Sequence, residues 1–329
     1  MLTSTTIEQI LATLPAARIG LIGDLFLDRY LDIDAGLDEP SVETGLTAYQ
    51  VVGVRSFPGA LGTVMNNLSA LGVGRIVPLT VVGDDAEGYE LRQALGRVRG
   101  VDPSLVIVSG ERRTPTYTKP MVAGRELNRL DIKNRTPTPS HLEDAILERL
   151  PELIARVDAL IVLDQVSEEN CGVVTIRVRE AVCAAAKDRR GSLFVLADSR
   201  ERIGEFRHVA VKPNEAECNS RPAELGVGVG GTVFCTLGER GMRVVLWPGG
   251  HRIDVPAYSL PGPVDVCGAG DSCSAGIVAA VLAGSSPSVA GAFANLVASI
   301  TVRQLGTTGT ATPAQVRARW TEVSETRAG

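Results

Sequence analysis

The stretch PVDVCGAGDSCSAGIVAAVLAG, residues 263–284, decides how this chain is interpreted. Gly268, Ala269 and Gly270 precede Asp271, after which small and apolar residues recur at helical spacing. Such a turn leaves backbone N–H groups free at a helix N-terminus, where no bulky side chain keeps an anion away. A carboxylate at Asp271 would stand beside that anion, placed to accept a proton from an attacking hydroxyl. The residues alone equally allow a simpler interpretation, in which Asp271 caps a tightly packed helix.

Outside this stretch, short apolar strands alternate with helical segments. The alternation predicts a mostly parallel, doubly wound α/β sheet, whose ligands bind at the carboxyl ends of the strands. The predicted strands are 18–24, 75–83, 158–164, 192–198, 208–214, 232–237 and 242–247. The predicted helices are an amphipathic N-terminal one and 62–72, 87–97, 141–155, 171–188, 271–284, 287–304 and 313–323.

Two segments, 30–57 and 111–133, interrupt this alternation. They lack helical periodicity and contain alternating patches such as TAYQVVGVRSF and TPTYTKPMV. We expect antiparallel strands that project from the main sheet, either as a lid or as an oligomer interface. These two segments are called the lid below.

Composition excludes several classes of protein. The net charge is −5 and aromatic residues make up only 4% of the chain, so a dedicated nucleic-acid binder is not expected. No apolar run approaches the roughly 20 residues of a membrane span, and no export signal is evident, which predicts a cytoplasmic protein.

The six cysteines form no C-x-x-C pair and are expected to be free, buried thiols. GVGVGG, 226–231, leads into a strand rather than a helix, so no dinucleotide site is predicted there.

The segment DVCGAGD, 265–271, resembles the D-T-x-G-A-G-D signature of the ribokinase-like, or PfkB, carbohydrate kinases. Further motifs of that family follow its order across residues 18–310. They are Asp28 in GDLFLDRY, the glycine motif FPGALGTVMNNLSALG at 57–72, Asn214 and Glu217 in KPNEAE, Thr236, Gly238 and Gly241 in TLGERG, and Asn295 in FANLVAS. The resemblance implies one kinase domain over 1–329, a ribokinase-like three-layer α/β sandwich with a mostly parallel central sheet and a small β-strand lid.

The resemblance also implies roles for these residues. Asp271 would be the catalytic base, and the amides of 268–271 would neutralise charge on the phosphoryl group as it leaves ATP. Asp28, Gly59 and Thr63 would orient the sugar. Asn214 and Glu217 would hold Mg²⁺ through water, and Asp265 would shape the loop near a monovalent-cation (K⁺) site that some relatives use. The remaining nucleotide-binding positions are Thr236, Gly238, Gly241 and, beside the adenine, Asn295.

Within the family, the pattern is similar to the heptose 7-phosphate kinase group. GDLFLDRY, Thr118-Lys119 and the R-x-D of Arg129 and Asp131 carry this likeness. Lys119, Arg125 and Arg129 could bind a phosphate already on the sugar, or be ordinary solvated charges on an exposed strand.

Two departures fall beside the sugar. Ala60 replaces the family's second glycine and narrows the space there, and Thr63 replaces an Asn. Catalysis is therefore expected to be retained, while the substrate stays open.

Several functions remain compatible with the sequence. The first is an ATP- and Mg²⁺-dependent sugar or sugar-phosphate kinase, with a heptose 7-phosphate as one candidate substrate. The others are a ribose, nucleoside or fructose-phosphate kinase, and a non-catalytic sugar- or nucleotide-binding regulator. An exposed lid edge would allow pairing across a homodimer, although the sequence does not fix the oligomeric state.

Overall fold

The computed structural model describes residues 1–220, 231–247 and 249–328, with the side chains of 220 and 326–328 left aside. Residues 226–230, in the GVGVGG stretch, lie outside these ranges. In chain order the strands are β1 (Arg18–Gly23), β2 (Leu25–Ile33), β3 (Glu39–Pro40), β4 (Thr47–Ala48), β5 (Val51–Ala60), β6 (Arg75–Gly83), β7 (Val106–Ser109), β8 (Thr116–Val122), β9 (Arg125–Glu126), β10 (Leu130–Ile132), β11 (Ala159–Asp164), β12 (Phe194–Ser199), β13 (Ala210–Val211), β14 (Thr232–Thr236), β15 (Met242–Leu246) and β16 (His251–Val255). The helices are α1 (Ser4–Thr13), α2 (Leu61–Leu71), α3 (Ala86–Leu95), α4 (Ser140–Ala155), α5 (Ile176–Asp188), α6 (Glu215–Ser220), α7 (Ala269–Leu282), α8 (Pro287–Thr301) and α9 (Pro313–Ala328).

The central sheet has nine strands in the order β16-β15-β14-β13-β12-β11-β1-β6-β7. The pairs from β14 to β7 are parallel, whereas β15 and β16 are antiparallel additions at one edge. The predicted mostly parallel sheet is therefore confirmed. The edge strands β7 and β16 were not predicted, and the strand expected at 208–214 is reduced to two residues.

The sheet separates two apolar cores, which makes the molecule a three-layer sandwich. Successive side chains of a strand point to opposite faces, so Ile19 and Leu21 of β1 enter the core beneath α2, α7 and α8. Ile22 enters the other core, beneath α4 and α5. All the predicted helices are present, although the one expected at 171–188 begins only at Ile176, where Thr175 caps it by accepting from the Val178 N–H.

The lid is a second sheet in the order β10-β8-β2-β5, with β9 paired to β8. The β2–β5 and β8–β10 pairs are antiparallel, as predicted, but β2 and β8 are parallel. That part of the prediction was wrong, because β2 and β8 are not joined by a hairpin but by a long connection, as parallel neighbours require. The lid also begins earlier than residue 30, since β2 starts directly after β1.

The expectation of six free, buried thiols was wrong in two respects. Cys218 of α6 and Cys235 of β14 are joined by a disulfide, because the short helix after Asn214 packs against that strand and brings their Cα atoms to 6.7 Å. The other four cysteines are free, but Cys267 is exposed, since it lies on the open turn before α7.

Candidate active site

The turn before α7 has the geometry that its glycines predict. Gly268 lies in the left-handed region, with φ 76°, and α7 begins at the next residue. Asp265 fixes the turn from both sides, because its carboxylate accepts from the N–H of Cys267 (3.0 Å) and of Gly306 (3.0 Å). The first backbone amides of α7 are therefore held at a helix N-terminus, where the dipole favours an anion.

Asp271 lies in the first turn of α7 and is partly buried. Its pKa is raised from 3.8 to about 7, mainly by burial and next by the charge of Asp198, against the opposing effect of Lys212 and Arg200. A carboxyl group with a pKa near neutrality is a competent general base, because it is ionised at working pH yet still binds a proton strongly.

Beneath the turn lies a buried ion pair that connects two strands of the main sheet. Lys212 follows β13 and its Nζ lies 2.8 Å from Oδ2 of Asp198 in β12, with both side chains almost inaccessible. A Cβ built on Gly270 would lie only 3.4 Å from Lys212 Nζ. The ammonium therefore adds positive potential to the N-terminus of α7.

On the lid, one face of β2, β5 and β8 gathers three of the predicted sugar-binding residues. Lys119 Nζ lies 3.4 Å from Oδ1 of Asp28, and a Cβ on Gly59 would come within 2.2 Å of the other carboxylate oxygen. Lys119 also donates to the Tyr30 hydroxyl (3.2 Å). Burial lowers the pKa of Lys119, but the charge of Asp28 and the hydrogen bond to Tyr30 raise it by more. The pKa of Lys119 is therefore raised.

The two residues that depart from the family pattern, Ala60 and Thr63, have different surroundings. Ala60 precedes α2 with φ 51° and ψ −113°, a conformation that favours glycine. Thr63 is buried, and a Cβ on Gly268 would approach its Cγ2 at 3.2 Å. Thr63 therefore packs beneath the turn that precedes α7.

Arg129 is placed differently from Lys119. Its guanidinium binds both carboxylate oxygens of Asp131 (2.7 and 3.0 Å) and stacks over the Tyr117 ring. Its charge is largely matched within the lid.

Asn214 and Glu217 form a reciprocal cap at the start of α6. The Asn214 N–H donates to Oε2 of Glu217 (2.7 Å), and the Glu217 N–H donates to Oδ1 of Asn214 (2.9 Å). Burial raises the pKa of Glu217. A backbone bridge pairs Asn214 with Thr236, so two predicted nucleotide-side positions lie next to each other.

The other predicted nucleotide positions have distinct surroundings. Gly238 has φ 60° and open space where a Cβ would be, whereas a Cβ on Gly241 would come within 2.3 Å of the Val255 carbonyl oxygen. Gly241 thus permits close backbone packing. Asn295 is buried in α8 and donates to the carbonyls of Val255 (3.1 Å) and Pro256 (3.2 Å). Its side-chain amide anchors α8 to the end of β16.

The oxygen donors near α6 suit Mg²⁺. Within the ranges that the structure describes, no three carboxylate, His or Cys side chains converge on one point. Mg²⁺ does not require such a cage, because it commonly takes one or two carboxylates, several waters and the phosphates of its substrate. The carboxylate of Glu217 and the amide oxygen of Asn214 fit that pattern.

Comparison with known families identifies the family of this chain. The model of the pfkB family carbohydrate kinases matches residues 31–315. The chain belongs to that family. Its ribokinase-like fold is shared with the ribokinase of Arabidopsis thaliana complexed with ribose and ATP (TM-score 0.67, 17% identity, 92% of this chain and 98% of that chain covered). A nucleoside kinase from Methanocaldococcus jannaschii is similar too (TM-score 0.63, 19% identity, 93% and 98% covered).

Curated relatives of this pfkB kinase include the bifunctional protein HldE of Pelobacter propionicus, 30% identical over 94% of this chain and 64% of the relative. The HldE protein of Rhodospirillum rubrum is 29% identical over 92% of this chain and 62% of the relative. The chain thus spans less than two thirds of these relatives. None of the helices in the described part of the chain has the length and apolar character of a membrane span.

Sequence reasoning assigned no role to three charged residues of this pfkB kinase: Asp198, Arg200 and Lys212. Arg200 is near enough to Asp271 and Glu217 for its charge to act on both. A signal was available, because all three follow or end buried strands at their carboxyl ends, where ligands of such sheets bind.

Proposed function

We propose that this pfkB kinase transfers the γ-phosphoryl group of ATP to a hydroxyl of a sugar phosphate, with a heptose 7-phosphate as the first candidate. One observation carries the proposal: a partly buried carboxyl group, Asp271, with a pKa of about 7, follows a glycine turn at a helix N-terminus. The likeness to the HldE proteins supports the choice of substrate.

In this mechanism Asp271 accepts the proton of the sugar hydroxyl as that hydroxyl attacks the γ-phosphorus. The backbone amides of Gly268, Ala269 and Gly270 donate to the oxygens of the transferring group. Charge grows on those oxygens, and preorganised donors stabilise it without reorganisation. Lys212, buried behind Gly270, strengthens the same potential.

For the nucleotide, we assign Thr236, Gly238 and Gly241 to the turn that follows its phosphates, and Asn295 to the adenine side. Asn214 and Glu217 would hold hydrated Mg²⁺, which supplies charge neutralisation between the phosphates when bound. A K⁺ site beside Asp265 is also proposed, since this residue already orders the loop between Cys267 and Gly306.

For the sugar, we assign Asp28 and Lys119 as direct hydrogen-bonding partners, with Gly59 leaving room beside Asp28. Ala60 limits the space there, and Thr63 supports the turn. Arg129 stacks over the Tyr117 ring and would thereby support the lid side of the sugar site.

An ATP-consumption screen tests this proposal. Heptose 7-phosphate, hexose phosphates, pentoses and nucleosides are each offered with Mg²⁺ and ATP, with and without K⁺. We expect the highest kcat/KM for a sugar phosphate. Measurable ATP binding without turnover of any substrate would instead support a non-catalytic regulator, and preference for a nucleoside or free pentose would reassign the substrate.

We further propose that the lid pairs with a second copy of this chain. Val51, Val52 and Val54 of β5 are exposed, and β5 is an edge strand of the lid sheet. An open, apolar strand edge is a template for pairing. Analytical ultracentrifugation should give a dimer, and Val52→Lys should give a monomer.

We place the enzyme in the cytoplasm, where ATP is supplied.

A further inference from the structure

An open pocket lies beneath the lid, beside the carboxyl ends of β1 and β11. Phe26 and Tyr117, whose rings meet edge to face, form its lid side. Three cationic side chains also line it: Arg112, Lys133 and Arg200. None of these three was predicted to bind substrate.

The pocket adjoins the catalytic carboxylate. Arg200, in its wall, is near enough to Asp271 and to Tyr117 for its charge to act on both groups. Tyr117 also sits beside Asp28, its register partner on the parallel strand β2. A substrate held by Asp28 with one hydroxyl at Asp271 therefore has the pocket next to it.

The acidic groups of the pocket are already neutralised. Asp24 is buried and accepts from the backbone N–H of Gln165 (2.9 Å), Val166 (3.2 Å) and Val173 (2.8 Å). It also lies close enough to Arg112 to match its charge. The second acid, Glu168, pairs with Arg135.

The other two cations are not matched in this way. Arg200 donates to the neutral side chain of Gln165 (3.1 Å), and no carboxylate of the described residues lies within ion-pair distance of it. Lys133 lies 3.7 Å from Asp131, but that carboxylate is already bound at two points by Arg129. Arg129 and Lys133 share the single charge of Asp131, and Arg200 has no carboxylate partner among the described residues, which leaves an excess of about two positive charges around the pocket.

This excess matches one ligand class. A phosphate monoester carries a charge of about −1.5 to −2 at pH 7, and cationic side chains are its usual partners. We propose that this pocket binds the phosphate group that the sugar substrate already carries, with Lys133 and Arg200 as its direct partners. The assignment rests on the proposed kinase function, and it moves phosphate recognition away from Lys119 and Arg129, whose charges are engaged by Asp28 and Asp131.

The test compares heptose 7-phosphate with the same heptose lacking the phosphate. Lys133→Gln removes one charge from a side chain that is still 34% exposed, so folding should be preserved, and a melting curve checks this. We expect KM for heptose 7-phosphate to rise about tenfold to a hundredfold, the usual worth of a hydrogen bond to a charged group, while KM for the free heptose and for ATP stays the same. Lys133→Arg should recover most of the loss.

Lys187→Gln is the matched control, since Lys187 is an exposed lysine in the last turn of α5, outside the pocket lining. An equal loss in this variant, or an equal loss with both sugars in Lys133→Gln, would overturn the assignment. So would an unchanged KM for heptose 7-phosphate in Lys133→Gln.

Calorimetric titration without ATP separates this inference from the proposed function. If heptose 7-phosphate binds to the wild type, loses affinity in Lys133→Gln and yet is never phosphorylated, the pocket assignment stands and the kinase assignment falls. If only free sugars bind and are phosphorylated, the kinase stands and the pocket assignment falls.

Discussion

The two sides of the site are built in opposite ways. On the phosphate side, residues 272–280 of α7 are all buried, and the ion pair of Lys212 and Asp198 lies beneath the turn that precedes them. On the sugar side, Asp28 and Lys119 stand on a lid whose other strands expose Val52 (62%) and Leu130 (63%). In the proposed mechanism the core therefore fixes the groups that would act on phosphate, whereas a thin sheet carries the groups that would select the sugar.

This difference bears on how costly the two departures from the family are. A change beneath α7 disturbs a close-packed core and is costly. A change on the lid alters only one face of a sheet that is open on the other. Ala60 stands at the border between the two, whereas Thr63 is buried beneath the turn that precedes α7.

The largest effect is expected from removing the base. Asp271→Asn keeps the shape of the side chain but cannot accept the proton, so kcat should fall about a hundredfold to ten-thousandfold. Steady-state kinetics with the best substrate of the screen measure this, and equilibrium ATP binding should be unchanged. Asp254→Asn, at an exposed carboxylate of β16, is the control. Near-normal turnover by Asp271→Asn would refute the assignment of the base.

The buried ion pair should dominate stability on the phosphate side. Lys212→Met leaves Asp198 buried without its partner, and the free energy of unfolding should fall by about 3–5 kcal/mol. Arg243→Met breaks a comparable pair with Asp254 at the surface and should cost about 1 kcal/mol or less. Urea denaturation of both variants gives the comparison. Equal losses of unfolding free energy would mean that the buried pair beneath α7 stabilises the fold no more than a surface pair does.

Replacing Gly59 tests the sugar side. The methyl of Gly59→Ala would lie 2.2 Å from Asp28 Oδ2, so the carboxylate must move. We expect KM for the sugar to rise about tenfold or more, as for loss of a charged hydrogen bond, with KM for ATP unchanged. Gly53→Ala is the matched control on the same strand, since its methyl would meet Asp32 Oδ2 at an ordinary 3.4 Å. A similar rise in KM in both variants would contradict a specific role for Asp28.

The pH dependence of kcat/KM tests the pKa of Asp271 and the effect of Asp198 on it. Because its pKa is raised by burial to about 7, kcat/KM should rise with pH and level off above about 7. Below that value the slope should approach one tenfold change per pH unit. Asp198→Asn removes a charge that raises this pKa, so the rising limb should move to lower pH. The neutral form of Asp271 is favoured in the fold, so its contribution to stability is full below pH 4 and is lost as pH rises through about 7. An unshifted limb in Asp198→Asn would exclude this coupling.

The main sheet was predictable because buried strands and helices leave strong periodic signals. The lid was harder, since β2 and β8 pair in parallel although they lie far apart in the chain, and alternation within a strand says nothing about its neighbour. The segment 171–175 shares the apolar character of the helix that follows, yet Thr175 caps that helix. The disulfide depends on how α6 packs on β14, which spacing in the sequence does not specify.

For the site, the sequence predicted single residues but not the residues they contact. Asp271 lies in the first turn of a helix that the sequence predicts, and Asp28 and Gly59 lie next to each other on the lid, while their roles stay predictions. The neutralisation of Arg129 by Asp131 and the proximity of Lys212 to Gly270 depend on side-chain directions that no motif encodes. Ion pairs depend on tertiary structure, so only the structure shows which cationic side chains are already paired with carboxylates.

The smallest effect is expected at the border between the two sides. Ala60 is held at φ 51°, where a side chain is strained by about 1–3 kcal/mol. Ala60→Gly relieves that strain but makes the unfolded chain more flexible, so the free energy of unfolding should rise by about 1 kcal/mol or less. Ala181→Gly, inside α5, should instead lower it by about 1 kcal/mol. Denaturant titration of both distinguishes them, and a loss of stability in Ala60→Gly would mean that packing of the methyl outweighs the strain, which would make Ala60 a structural rather than a substrate-selecting replacement.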